Sequence, residues 1–126
     1  MGITNAGLAE AAGLLGNTGT CTAFTYLAVG TGSTAFAANQ TALVTEETGS
    51  GLGRAAATVT RTTTTATNDT LQLSKAFTVT GSVTIAEEGT FNASSAGDML
   101  QRTVLSPTRA VVNGDTYTLT VKIVHA

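Results

Sequence analysis

The stretch TYTLTVKIV (116–124) sets Thr118, Thr120 and Lys122 on one side and Tyr117, Leu119, Val121 and Ile123 on the other. A period of two fits a pleated strand with one wet face and does not fit a helix. The same alternation runs through TLQLSKAFTV (70–79). There Leu71, Leu73, Phe77 and Val79 share one face, with Gln72, Ser74 and Thr78 opposite. Threonine carries the pattern: the chain holds 27 of them in 126 residues. Its β-branched side chain suits strands, and its hydroxyl keeps a strand face wettable. Only 11% of residues are charged, against roughly a quarter in soluble domains. Such a chain stays in solution through hydroxyls and has weak charge protection against association. Much of its surface is therefore expected to meet other protein.

The remaining segments read as follows. Residues 4–15 form the one good helix, with Leu8, Ala11, Ala12 and Leu15 as an apolar stripe. Thr4 or Asn5 can cap it, and Gly16 offers a left-handed stop. CTAFTYLAVG (21–30) reads as a central strand, apolar on both faces. Residues 30–53 are irregular and small, with one helical turn expected in QTALVTEE and a flexible tip at GSGLG (49–53). RAAATVTRTTTT (54–65) reads as one strand, joined to the next through ATND (66–69) as a hairpin. GSVTIAEEGTFNA gives a strand interrupted at Gly89, and MLQRTVLSP a strand halted by Pro107. SSAGD (94–98) and Asn113-Gly114-Asp115 mark turns. The expected fold is mainly β: an antiparallel β-sandwich of about six or seven strands with one N-terminal helix. It is one domain, with residues 1–16 as helix or arm and 21–126 as a β domain carrying a long loop at 30–53.

Chemistry is sparse. The single histidine, His125, stands next to last, a poor place to hold a catalytic imidazole. The adjacent pairs Glu46–Glu47 and Glu87–Glu88 point to opposite faces of a strand, so neither pair converges by itself. Lone Cys21 can make neither an internal disulfide nor a metal site, and suits assembly in a reducing interior. The six basic residues are scattered, which gives no nucleic-acid footprint. No apolar run reaches the ~20 residues a membrane helix needs. The start has no positive segment ahead of an apolar one and carries Glu10, so it reads as part of the fold. The expectation is a protein with no catalytic residues, no cofactor, no metal, and no nucleic-acid or membrane partner.

Three strings taken together resemble a known family. YLAVGTG (26–32), QTALVTEE followed by Arg54, and VTIAEEGTFNA with GDML (83–93, 97–100) follow the order and spacing of the N-terminal domain of phage tail-collar fibre proteins. They also resemble short stand-alone phage particle proteins of the decoration type. The resemblance implies fold-holding roles. Gly30 and Gly32 would form a turn after the strand. Glu88, Gly89 and Phe91 would form a structural turn, with Gly89 in an unusual backbone conformation and Phe91 as a core anchor. Arg54 would pair with an acid such as Glu46 or Glu88 and pin the long loop. Fibre proteins continue into a shaft, whereas this sequence stops after the attachment-type domain. The expected function is thus a capsid decoration protein that bridges capsid subunits. It would act in the virion, after assembly in the host cytoplasm, as a homo-oligomer, by expectation a trimer, bound to the major capsid protein. The alternatives are a small tail-fibre, collar or baseplate adaptor, and a carbohydrate-binding or adhesin-like domain. The scarcity of aromatic rings (5%) counts against the last. The helix and the 30–53 loop are the expected contact surfaces, through Leu8, Leu15, Phe36, Leu43 and Val44.

Overall fold

A computed structural model describes residues 1–125. The elements in chain order are β1 (Gly2–Ile3), α1 (Asn5–Gly16), β2 (Tyr26–Gly30), β3 (Ala55–Ala56), β4 (Thr58–Thr62), β5 (Thr70–Thr78), β6 (Val83–Phe91), β7 (Met99–Val111) and β8 (Thr116–Val124). They form two antiparallel sheets. The larger has the order β1-β7-β6-β2-β3 and the smaller β4-β5-β8. The alternating segments 70–78 and 116–124 pair along their whole length, from Thr70↔Val124 to Thr78↔Thr116. Their apolar faces supply Leu73, Phe77, Leu119 and Val121 to the main core, and the larger sheet answers with Leu27, Val29, Ile85 and Val111. The fold is a β-sandwich with one helix.

Local chemistry explains the departures from the expected elements. The stretch 54–65 divides: β3 pairs with β2 in the larger sheet, and β4 pairs with β5 in the smaller. The chain changes sheets at Ala57. β6 runs through Gly89 without interruption, with Ala28 and Arg102 as that residue's neighbours. β7 likewise continues past Pro107. Between Ile85↔Arg109 and Glu87↔Val104 the register shifts, so several β7 residues bulge opposite Ala86. Proline sits in that bulge, where no ladder hydrogen bond is needed. Residues 21–25 precede β2 as irregular chain.

The helix begins as expected and ends one residue later. The Thr4 hydroxyl accepts from the Gly7 N–H, and the left-handed cap is Asn17, with φ 48°, in place of Gly16. The buried positions are Gly7 and Gly13, and Leu8 and Leu15, expected as contact residues, are turned outward. Leu8, Leu14 and Leu15 are 58%, 39% and 85% exposed. The reason is distance. A Cβ on Gly7 would stand 2.4 Å from the Leu100 carbonyl oxygen, so the helix backbone lies directly on β7 where only glycine fits. Thr4 fixes this approach: its N–H donates to Leu100 O at 3.0 Å and its hydroxyl to Met99 O.

The segment 49–53, expected as a flexible tip, is packed. Leu52 is fully buried in the main core. Gly51 has φ 74°, and a Cβ there would fall 1.9 Å from the Thr78 carbonyl oxygen.

The close helix approach predicts an inversion of helix propensity. Gly7→Ala, which favours an isolated helix by ~1 kcal/mol, should destabilise the protein by about 1–3 kcal/mol through the clash with β7. Gly16→Ala, whose Cβ would make only an ordinary contact with Thr18 Cγ2 at 3.6 Å, should be neutral or stabilising by a few tenths of a kcal/mol. Urea unfolding of the two variants measures both.

Candidate functional site

The 31–53 segment lies over one end of the larger sheet, and two ion pairs shape it. The first centres on Glu87 in β6. Past the register shift in β6, it lies on the face shared with Gly30 of β2 and Val104 of β7. Glu87 Oε2 accepts from the N–H of Gly32 at 2.9 Å and of Thr45 at 2.8 Å. Glu87 Oε1 accepts from Val44 N–H at 2.9 Å and from Arg102 Nε at 2.8 Å. Both charged side chains are 0% exposed. Arg102 Nη1 donates onward to the Thr34 carbonyl at 2.8 Å and to Gln40 Oε1 at 3.4 Å. One carboxylate thus gathers three backbone N–H groups from the loop, and its arginine partner holds a carbonyl from the same loop.

The glycines make room for this charge. A Cβ on Gly30 would come within 2.4 Å of Thr45 O and 2.7 Å of Glu87 Oε2. One on Gly32 would lie 2.5 Å from Glu87 Oε2. A Cβ on Gly89 would press on Leu43 Cδ2 at 2.9 Å. None of the three has positive φ. The turn role expected of Gly30 and Gly32, and the unusual backbone expected of Gly89, are therefore replaced by a steric role. The helical turn expected in QTALVTEE is absent for a related reason: Val44 and Thr45 give their N–H groups to Glu87, which leaves them no part in a helix.

The second pair is Arg54–Glu46. Arg54 Nε and Nη2 reach the two carboxylate oxygens at 3.1 and 2.7 Å, a two-pronged contact. Arg54 Nη1 donates to the carbonyls of Ala93 and Ala96 at 3.1 and 2.8 Å. The guanidinium lies 3.5 Å from the centroid of Phe91. Phe91 itself is buried with Ala28, Leu43 and Met99 in a second small core beneath the loop. Glu46 also bridges to Gly30 through the backbone. Arg54 therefore ties the end of the loop to the 92–98 turn.

Glu88 belongs to the other face of β6. Its Oε2 accepts from Gln101 Nε2 at 3.1 Å, and the same amide donates to Thr90 Oγ1 at 2.9 Å. Neighbouring glutamates thus titrate in opposite directions. Burial opposes ionisation of Glu87, but the Arg102 guanidinium and the Thr45, Val44 and Gly32 N–H groups outweigh it and hold its carboxyl below the usual range. For Glu88 burial prevails over its hydrogen bonds and pushes the carboxyl up.

Of the residues expected as contacts, Leu8, Leu15 and Val44 are exposed, and Phe36 is half-buried against Gly2. Leu43 is a correction: it is 7% exposed and part of the small core. A groove of about 420 Å³ lies between α1 and the ends of β5 and β8, walled by Leu8, Leu15, Phe24, Leu71 and Ile123. Sequence reasoning missed Glu87, Arg102 and Gln101. Among the described residues no group of three or more His, Cys, Asp or Glu gathers as a metal site would require. No family model matches the chain, and no curated protein matches it.

The glutamate pair predicts opposite responses to loss of charge. Glu87→Gln should lower stability at pH 7 by about 3–5 kcal/mol by leaving Arg102 buried and unpaired. Wild type should lose this advantage only as pH falls through the depressed folded-state value of Glu87. Glu88→Gln should raise the denaturation midpoint at pH 7, because the folded state resists ionising Glu88. That gain should vanish in acid, where Glu88 is protonated in both states. Denaturant titrations at pH 7 and in acid read both effects.

Proposed function

We propose that the protein is a structural component of a bacteriophage particle, acting as a capsid decoration protein that bridges neighbouring capsid subunits. The carrying observation is the outward leucine stripe of α1, with Leu8 58% and Leu15 85% exposed beside an apolar groove. A sandwich whose cores are already filled has no internal use for these side chains. Grouped apolar residues of this kind mark contact surfaces. The helix is also held rigidly enough to serve as one: Thr4 and the glycine contact on Leu100 fix its place on β7. Decoration requires a compact module that clamps other chains by burying apolar and hydroxyl surface in many copies. The threonine-coated exterior supports the same reading, as do the order and spacing of the 26–32, 40–54 and 83–100 strings.

Burying one leucine contributes about 1.5–3 kcal/mol, which is a factor of ten or more in affinity. Leu15→Glu should therefore bind undecorated heads of the encoding phage at least tenfold more weakly than wild type, with an unchanged far-ultraviolet circular dichroism spectrum. Density for the chain over the capsid shell, with α1 at the contact, is the expected image. Density confined to the tail would favour the adaptor role. Absence from purified particles, or undiminished binding by Leu15→Glu, would overturn the reading.

A further inference from the structure

Arg102 has one nitrogen to spare. Its Nε is bound to Glu87 and its Nη1 to Thr34 O and Gln40 Oε1, but Nη2 is buried and has no hydrogen-bond partner among the described residues. Leaving a charged donor without an acceptor costs more than leaving a neutral one, and among the described residues no other buried side-chain nitrogen or oxygen lacks a partner. The same arginine forms part of the wall of a pocket of about 470 Å³. Its other walls include Met1, Phe36 and Val104, which are apolar, and Ser33, which brings a hydroxyl.

From this pairing we propose that the pocket binds a small organic carboxylate, with Arg102 Nη2 as the charged donor and Ser33 as the second. Three features select that ligand class. Glu87 shares its charge among three backbone N–H groups as well as Arg102, so the guanidinium retains positive character toward a second acid. A charged acceptor bonds a guanidinium N–H about twice as strongly as a neutral carbonyl does, which favours an acid over a neutral ligand. The apolar walls suit a short aliphatic tail and disfavour phosphate, which needs more donors than two. The Arg102 side chain is 0% exposed, so the acid reaches Nη2 only when a covering group moves. Phe36 is that group. It is half-buried, it lines the same pocket, and its ring lies 2.5 Å from where a Gly2 Cβ would stand, so it rests on Gly2 directly beside Arg102 in the β1–β7 ladder. The site is independent of the virion role, because it uses neither α1 nor its leucines.

Butyrate is the probe. Sodium butyrate titrated into ¹⁵N-labelled full-length protein, against sodium chloride at matched ionic strength, should shift the Arg102 Nε–Hε signal and the Gly2 and Ser33 amides saturably. Phe36→Ala, which removes the cover, should bind at least threefold more tightly. Ala35→Trp, which fills the rim from an exposed loop position and leaves Arg102 in place, should bind at least tenfold more weakly with the rest of the spectrum preserved. The site does not exist if neither wild type nor Phe36→Ala shows a saturable shift, or if chloride produces the same shifts. It is equally disproved if Ala35→Trp binds as wild type does.

Discussion

A single buried carboxylate organises this molecule. Glu87 accepts three N–H groups from the 31–53 segment and one from Arg102, inside a region where neither charge meets water. An isolated charge in such a place would be prohibitive; with four donors it becomes a clamp. A loop of more than twenty residues has high conformational entropy and few regular hydrogen bonds to offset it. Here the loop's own N–H groups, which would otherwise be buried without partners, find their acceptor on the sheet. The Arg54–Glu46 pair closes the far end over Phe91.

The same clamp explains the glycines and the surface. Gly30, Gly32 and Gly89 are small because the carboxylate and the loop stand where side chains would go. With the loop drawn onto one region of the larger sheet and the smaller sheet filling its other face, the helix, besides Cys21 at Gly13 and Ala38 at Asn5, rests on the β7 backbone. It does so through Gly7, and its leucines are left outside. Internal polar anchoring and an external apolar stripe are therefore connected outcomes of one arrangement.

Much of the fold was legible because alternation is a local signal. Leu71, Leu73, Phe77, Leu119 and Val121 could be placed on their faces from spacing alone, and the β4–β5 hairpin followed from its turn. The helix was legible in extent, but the glycine face by which it packs was not. Helical periodicity finds an apolar stripe, yet cannot tell that Gly7 approaches a carbonyl too closely for any side chain to face inward. Pro107 and Gly89 looked like strand breakers because a bulge and a steric demand are properties of the neighbouring strand. The clamp left little trace. With Ile85 inward, a period of two carries Glu87 to the main-core face, but the register shift between the two turns Glu87 to the face of Gly30 instead. Arg102 in MLQRTVL is likewise a charge whose burial the neighbouring strands decide. The pairing of the two depends on register across strands 15 residues apart, which no single segment reveals.

Native-state hydrogen exchange tests the clamp most directly. If Glu87 holds the loop, the amides of Gly32, Val44 and Thr45 exchange only with global unfolding, as slowly as core amides such as that of Leu73, while exposed Ser33 and Ala35 exchange quickly. Rapid exchange of Gly32, Val44 and Thr45, at the rate of those exposed neighbours, would contradict the account.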